Sequence, residues 1–307
     1  MKDSVRVSLV QFAPKWLEGA KNAERMKDVA VREVEAGADL IVFPETANAG
    51  HITPLLPGDP VEFPGSPGFA QFFQKYVEAS EPVPGATTRL LEAVARDCGV
   101  HIVVGLAERH PVIPATIFDS AVLLGPHGLI GVQRKVHLGF GEKLFFAQGA
   151  ALRVYDTGLG KVGLIVGHDA WFPEICRVMA IKGAEILCHL SQSPALPGAV
   201  DEQLATDLAI TRARENAVYF LACNRAGAEG KYEMIGHSAI VGPTGAIVAG
   251  AETRRETVVS AELTAETLIK ARGLLTVLRD RRPALYAAVC EPSGPGTGVL
   301  ASQSRLG

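Results

Sequence analysis

A chain of 307 residues, 48% apolar and 21% charged, has the composition of a folded protein with a well-buried core. A formal net charge of −3 argues against a general nucleic-acid binder, and the only dense basic run, Arg279, Arg281 and Arg282, reads as solvated surface. No apolar stretch approaches the ~20 residues that span a bilayer, and Met1 leads straight into a strand pattern with no signal-peptide core, so a soluble cytoplasmic protein with no membrane partner is expected.

Val5–Gln11 alternates like a half-buried strand, and Ala20 to Ala36 carries apolar positions at helical spacing with Gly37 as the stop. Leu40–Phe43 is a short buried strand that ends at Pro44-Glu45. Residues 50 to 84 are rich in Pro and Gly and read as a long loop with one helical piece, Phe69 to Ala79. A helix over Ala86 to Cys98 leads into the strand His101–Gly105. Val122–Gly131 is a hairpin around a Gly-Pro-x-Gly turn, and Ala239–Val248 copies it closely. Leu40–Glu45 likewise has a counterpart in Glu185–Ser191. Paired copies of this kind predict an α/β fold: a four-layer α-β-β-α sandwich of two mixed β-sheets with an internal pseudo-twofold repeat. Residues 1–285 are expected to form a single domain, and 286–307 an extended or disordered tail.

Cys98, Cys176, Cys188, Cys223 and Cys290 are widely spaced, and no Cys or His pairing has zinc-ligand spacing. No metal and no cofactor are expected.

Three segments end a strand pattern at a position able to do chemistry. In Phe43-Pro44-Glu45-Thr46, a carboxylate just past a buried strand would be partly desolvated, with a raised pKa suited to a general base. Taken alone, Glu45 reads more readily as a capping or surface residue. In the second, Lys135 would place its ammonium over a developing oxyanion, with Glu142 orienting it; alone, the two read as an exposed ion pair. The third runs from Lys161 to Glu174, where an apolar strand breaks at Gly167 and Pro173 sits at a helix start. Enzymes often mount a nucleophile at such a junction, and glycine has none to offer. The backbone N–H groups of that turn remain able to hold an oxyanion.

In this order and at these separations, the three segments resemble the nitrilase (carbon–nitrogen hydrolase) superfamily, from Val7 to about Pro283. The matching pieces are Leu40–Glu45, Arg134–Leu138, Gly163–Asp169 with Phe172-Pro173-Glu174, and Asn224-Arg225-Ala226-Gly227, with lesser matches at Val104–Arg109 and Arg212–Asn216. The resemblance implies a Glu-Lys-Cys site that hydrolyses a non-peptide carbon–nitrogen bond, releasing ammonia and a carboxylic acid. Glu45 would be its base, Lys135 its oxyanion stabiliser and Glu142 the supporting glutamate. The cysteine of that pattern falls on Gly167, so the thioester of the family mechanism cannot form there. Cys176, in the helix beyond, would stand several ångströms from the turn. Direct attack by water, deprotonated by Glu45 into the space left empty at Gly167, would be slow.

Two readings of the glycine are open. The chain is a disabled variant of a working cysteine enzyme, or a member that keeps small-molecule binding without turnover. His168, Trp171, Phe172 and Phe146 are the candidate substrate-binding residues. Ala170 and Trp171 stand where family members that grip a carboxylate carry paired arginines, which points to an uncharged or apolar acyl portion. The Phe-Pro-Glu and Lys-Val-His-Leu segments lean toward an amide, and the Phe69–Ser80 stretch keeps a nitrile open. By the same resemblance a homodimer or higher homo-oligomer is expected, joined through the helices after Gly167 and after Glu202.

Overall fold

The computed structural model describes residues 1–51, 66–196, 202–230 and 232–291. The first half of the chain gives β1 (Ser4–Gln11), α1 (Gly19–Glu35), β2 (Leu40–Val42), α2 (Pro67–Ala79), α3 (Ala86–Cys98), β3 (His101–Arg109), β4 (Ile117–Gly125) and β5 (Gly128–Arg134). The second half gives β6 (Val154–Thr157), β7 (Gly160–Val166), α4 (Pro173–Ile181), β8 (Ile186–Ser191), α5 (Glu202–Asn216), β9 (Tyr219–Asn224), β10 (Ala228–Glu229) and β11 (Tyr232–Glu233). It closes with β12 (Ala239–Val241), β13 (Ile247–Gly250), β14 (Thr257–Thr264) and α6 (Ala265–Leu274).

Two six-stranded mixed sheets result, ordered β14-β1-β2-β3-β4-β5 and β13-β12-β9-β8-β7-β6. The strands β1, β2 and β3 run parallel, as do β7, β8 and β9, and the hairpin strands β4-β5 and β12-β13 extend each set antiparallel. The run β1-α1-β2-α3-β3-β4-β5 is therefore matched by β7-α4-β8-α5-β9-β12-β13. This is the expected repeat, with Leu40–Glu45 and Glu185–Ser191 as equivalent strands. The edge strands β6 and β14, which sequence periodicity did not mark, close each sheet antiparallel against β7 and β1.

Period-two patterning builds the layers. From β2, Leu40 and Val42 enter a core shared by both sheets, while Ile41 and Phe43 face the layer of α1 and α3. From β9, Tyr219, Leu221 and Cys223 enter the same intersheet core, and Phe220 and Ala222 face α4 and α5. Strands covered on both faces read as continuous apolar runs, and each fully buried Leu, Ile or Val contributes about 1.5–3 kcal/mol. Helix α1 buries Asn22, Met26 and Ala30, one stripe at four-residue spacing.

The parallel strands leave their carboxyl ends on one edge of the sandwich, where ligand sites of open α/β sheets form. A fourth cluster backs that edge: Phe72 and Tyr76 of α2 pack with Leu138, Phe145 and Phe146. Within the long-loop reading of residues 50 to 84, residues 52–65 lie outside the described residues, as does most of the tail, and the helical piece read at Phe69 to Ala79 is α2, Pro67–Ala79. The described start of that tail, Ala287–Cys290, is a 3-10 turn rather than extended chain.

Candidate active site

Glu45 follows β2 directly, and its backbone lies against Gly105 of β3. A Cβ at Gly105 would stand 2.6 Å from Glu45 Cα, so only glycine allows that approach. The next residue, Thr46, is buried at φ 45°, a left-handed conformation that turns the chain sharply away after Glu45. Lys135 follows β5 and donates its backbone N–H to the Asp119 carbonyl at 2.8 Å. Glu142 stands in the 3-10 turn Phe140–Leu144, where its Oε2 accepts the Gly139 N–H at 2.7 Å. Gly167 ends β7 and opens the 3-10 turn Gly167–Trp171, which hands over to α4 at Pro173.

These side chains converge. Lys135 Nζ donates to Glu45 Oε1 at 2.7 Å, to Glu142 Oε1 at 2.6 Å and to Asp119 Oδ2 at 3.3 Å. Gln192, just past β8, donates its backbone N–H to Glu45 Oε2 at 2.8 Å, and its side-chain amide lies 3.0 Å from His51 Nδ1. His51 Nε2 in turn lies 3.1 Å from Glu142 Oε1, off the line of an ideal hydrogen bond. Glu45, Lys135, Glu142, His51 and Gln192 thus form a closed ring of polar contacts. Buried Glu229, paired with Arg225 at 2.5 Å, holds the His51 backbone N–H. Arg225 belongs to the Asn224–Gly227 segment, whose use here is to anchor the chain at His51.

The charges within the ring are not those expected for Glu45. Burial pushes its carboxyl up, but the Lys135 ammonium and a hydrogen bond from Asp119 outweigh burial, so its pKa is lowered and not raised. Lysine is charged over nearly the whole pH range, and at 2.7 Å it reverses the effect that desolvation alone would have. Glu142 is held far below the usual carboxylate range: burial opposes this, and Lys135 overcomes it. Asp119 goes the other way, pushed well up toward its protonated form by burial and by Glu45. Lys135 itself is raised well above its ordinary value, its carboxylate partners prevailing over burial.

Ligand atoms of Glu45, His51, Asp119 and Glu142 lie within 4.8 Å of one another, a spacing that would suit a metal ion. Lys135 Nζ already bonds three of those four residues, so the chain supplies its own cation at that focus.

Gly167 has φ +45°. An added Cβ would stand 2.5 and 2.6 Å from the Glu45 carboxylate oxygens and 2.7 Å from Lys135 Nζ. The space beside the glycine is therefore filled by the Glu45–Lys135 pair rather than left open for water, contrary to the sequence expectation. A side chain at 167 would require both groups to withdraw and, at this φ, would cost about 1–3 kcal/mol in backbone strain. His189 on β8 fixes the turn: its ring nitrogen Nε2 lies 3.0 Å from the Gly167 carbonyl, and burial lowers its pKa to about 4. A neutral ring must donate from Nε2 there, because a carbonyl only accepts. Asp169 ties the turn to the lysine segment by accepting the backbone N–H groups of Val136 (3.0 Å) and His137 (2.7 Å).

The site opens into a cavity of about 370 Å³. Glu45, Lys135, Glu142, Gly167, His168 and Trp171 line it. Phe172 and Phe146 stand behind the wall instead. Phe172 stacks on His137 with ring centroids 3.7 Å apart, and Phe146 packs edge-on to Tyr76 and against His51. Cys176 is buried in the α4 layer, where burial pushes its thiol up to about 12. Asp119, His51, Gln192 and His189 were not picked out from the sequence, because each acts through contacts distant in the chain.

The carbon–nitrogen hydrolase family model matches residues 6–272. The chain is similar to a nitrilase of Pyrococcus abyssi, with 34% identity over 288 residues covering 92% of this chain and 99% of that one. It is also similar to an omega-amidase of Xenopus laevis, with 29% identity over 292 residues covering 92% and 96%. In structure it resembles Saccharomyces cerevisiae Nit3, a member of branch 10 of the nitrilase superfamily (TM-score 0.76, 28% identity, 91% and 97% covered). A carbon–nitrogen hydrolase from Helicobacter pylori superposes at TM-score 0.78 with 25% identity, covering 94% of this chain and 98% of that one. With the family model spanning most of its length, this chain belongs to the carbon–nitrogen hydrolase family, within the nitrilase superfamily.

Proposed function

We propose that the cavity is an amide-hydrolase site in which Glu45 is the general base, Lys135 stabilises the oxyanion and Glu142 holds Lys135. In the chain as it stands, that site binds its ligand without the covalent step. The single observation that carries this reading is the convergence of Glu45 and Lys135 beside Gly167, at the strand-to-helix turn. With a thiol at that turn, Glu45 takes its proton and the sulfur attacks the amide carbon. A C–S bond forms and the carbonyl oxygen becomes an oxyanion facing Lys135 and the N–H groups of the turn. The proton passes from Glu45 to the nitrogen, the C–N bond breaks and ammonia leaves a thioester. Water, deprotonated by Glu45, then forms the C–O bond of the acid as the C–S bond breaks. The lowered pKa of Glu45 fits this role, because the carboxylate is ionised and ready to accept. With glycine, the first bond cannot form, and about 10³-fold acceleration is the order that binding and oxyanion stabilisation alone can leave.

The test is ammonia release from a panel of aliphatic and aromatic amides and nitriles by the chain as written and by Gly167→Cys. Release by the cysteine variant alone supports the reading and separates amide from nitrile. Silence from a folded Gly167→Cys favours the second reading, a non-catalytic small-molecule binder of the same fold.

A homodimer or higher assembly belongs to the same proposal. Ile269, Leu274, Leu285 and Val289 are 60–77% exposed on and after α6, an apolar stretch that a second copy would cover. Sedimentation of a monomer at micromolar concentration would refute it. A cytoplasmic setting is also proposed, supported by five free cysteines. Among the described residues, no helix is long and apolar enough to cross a membrane.

A further inference from the structure

We propose that this site is built for amides whose acyl group is uncharged and largely apolar, and that it rejects acyl groups ending in a carboxylate. The inference rests on the amide-site reading above and narrows it to a substrate class. Away from Glu45 and Lys135, the cavity wall combines a polar strip that includes Ser193, Asn224 and His237 with a broader apolar face, made by Trp171 on the elbow side, Pro194 and Leu196 after β8, and Leu204, Ala205 and Leu208 on α5. Apart from the indole N–H of Trp171, the side chains of that apolar face offer nothing to hydrogen-bond a charged group, whereas an alkyl or aryl group leaves water on entering. Each further methylene buried there tightens binding by about fourfold.

The charge balance points the same way. Among the described residues lining the cavity, Lys135 is the one side chain with a permanent positive charge. An ammonium has three donors, and those of Lys135 are directed at Glu45, Glu142 and Asp119. Glu45 and Glu142, both lowered, are ionised, so the cluster has at least two negative charges against one positive. His189 is neutral near pH 7, its pKa lowered by burial to about 4, and burial also pulls His168 below its ordinary value. A carboxylate entering this cavity would lose its water, find no free Lys or Arg among the described lining residues and meet like charge.

Because the chain as it stands lacks the thiol, a bound amide is not consumed, and equilibrium binding can be measured directly. Isothermal titration would compare three ligands of one shape: 4-methylpentanamide, succinamide and succinamate. They present an isopropyl group, a neutral amide and a carboxylate at the same distance from the reacting amide. The expected order is 4-methylpentanamide tightest, succinamide weaker, and succinamate weakest by about 100-fold or more against the first, the scale of an unpaired buried charge. Succinamate binding as tightly as 4-methylpentanamide overturns the class assignment and leaves the amide-site reading standing. No binding by any of the three overturns the amide-site reading and this inference with it.

Discussion

Glu45 Oε1 and Lys135 Nζ meet at 2.7 Å beside Gly167, although β2 and β5, whose ends present them, are separated by two other strands of the sheet. Both groups are buried, so the pair is neither screened by solvent nor free to exchange partners. Its position accounts for three features at once. It inverts the expected shift of Glu45, it fills the place a side chain at 167 would take, and it fixes the ammonium where an oxyanion would form.

Removing the lysine should leave Glu45 and Glu142 as uncompensated buried charges. We predict that Lys135→Met lowers the urea-unfolding free energy at pH 7 by about 3–5 kcal/mol, the usual result of breaking a buried pair from one side. Adding Glu45→Gln to that variant should recover part of the loss. A loss below about 1 kcal/mol would mean that the lysine is not buried among these carboxylates in solution.

The carboxylates of the cluster should respond differently to neutralisation. Burial and Glu45 push Asp119 well up toward its protonated form, so Asp119→Asn should change stability at pH 7 by no more than about 1 kcal/mol. Glu142 has a depressed pKa, so its contribution is complete above its unfolded value of about 4.3 and is lost as pH falls through the folded value. Glu142→Gln should therefore cost stability at pH 7 and progressively less as the pH drops below about 4. Lys135, raised, stabilises fully below about 10.4 and loses that contribution only as pH rises through its still higher folded value. Urea midpoints from pH 3 to 11 (an arbitrary span of about eight units) test all three. Equal costs at pH 7 for Asp119→Asn and Glu142→Gln would contradict the upward shift of Asp119.

His51 closes the ring between Glu142 and Gln192, accepting at Nδ1 from the Gln192 amide. Nitrogen NMR of the unmodified protein should find Nδ1 bare and the proton on Nε2. His51→Gln keeps both an acceptor and a donor and should bind amides within about threefold of the parent. His51→Phe offers neither, and should weaken binding about tenfold, the scale of one ordinary hydrogen bond. A proton found on Nδ1, or equal binding by both variants, would remove His51 from the ring.

Thiol chemistry separates a relocated nucleophile from a packing cysteine. Cys98 and Cys290 are exposed, whereas Cys176, Cys188 and Cys223 are buried with thiols pushed up by burial. In the folded protein, Ellman's reagent should modify Cys98 and Cys290 and leave the other three until denaturant is added. Rapid modification of Cys176 under native conditions would reopen it as a nucleophile.

Much of the architecture was legible because it depends on local patterns. Helix α3 was read with the boundaries Ala86 and Cys98 that it has, since apolar spacing and Gly99 mark them. The two Gly-Pro hairpins announced the repeat, and Glu45, Lys135 and Gly167 stood out because each stands at the end of a strand pattern. What stayed hidden depends on contacts between distant segments. Asp119 lies within a fully buried strand and has no motif around it, yet it meets Lys135 because β4 and β5 are neighbours. The shift of Glu45 depends on a partner 90 residues away. Aromatic character marked Phe146 and Phe172 as wall candidates, but it could not say that the lining residues His51 and His168 would pack against them.

The most direct test of the account is intact-mass analysis after acid quench of the chain as written and of Gly167→Cys, each incubated with an amide that the variant hydrolyses. Peptide fragmentation would then locate any adduct. The account predicts an acyl adduct on the variant alone, at position 167, with none on Cys176. An adduct on the unmodified chain, or one that maps to Cys176, would contradict it, because the nucleophile would then lie outside the turn where Glu45 and Lys135 converge.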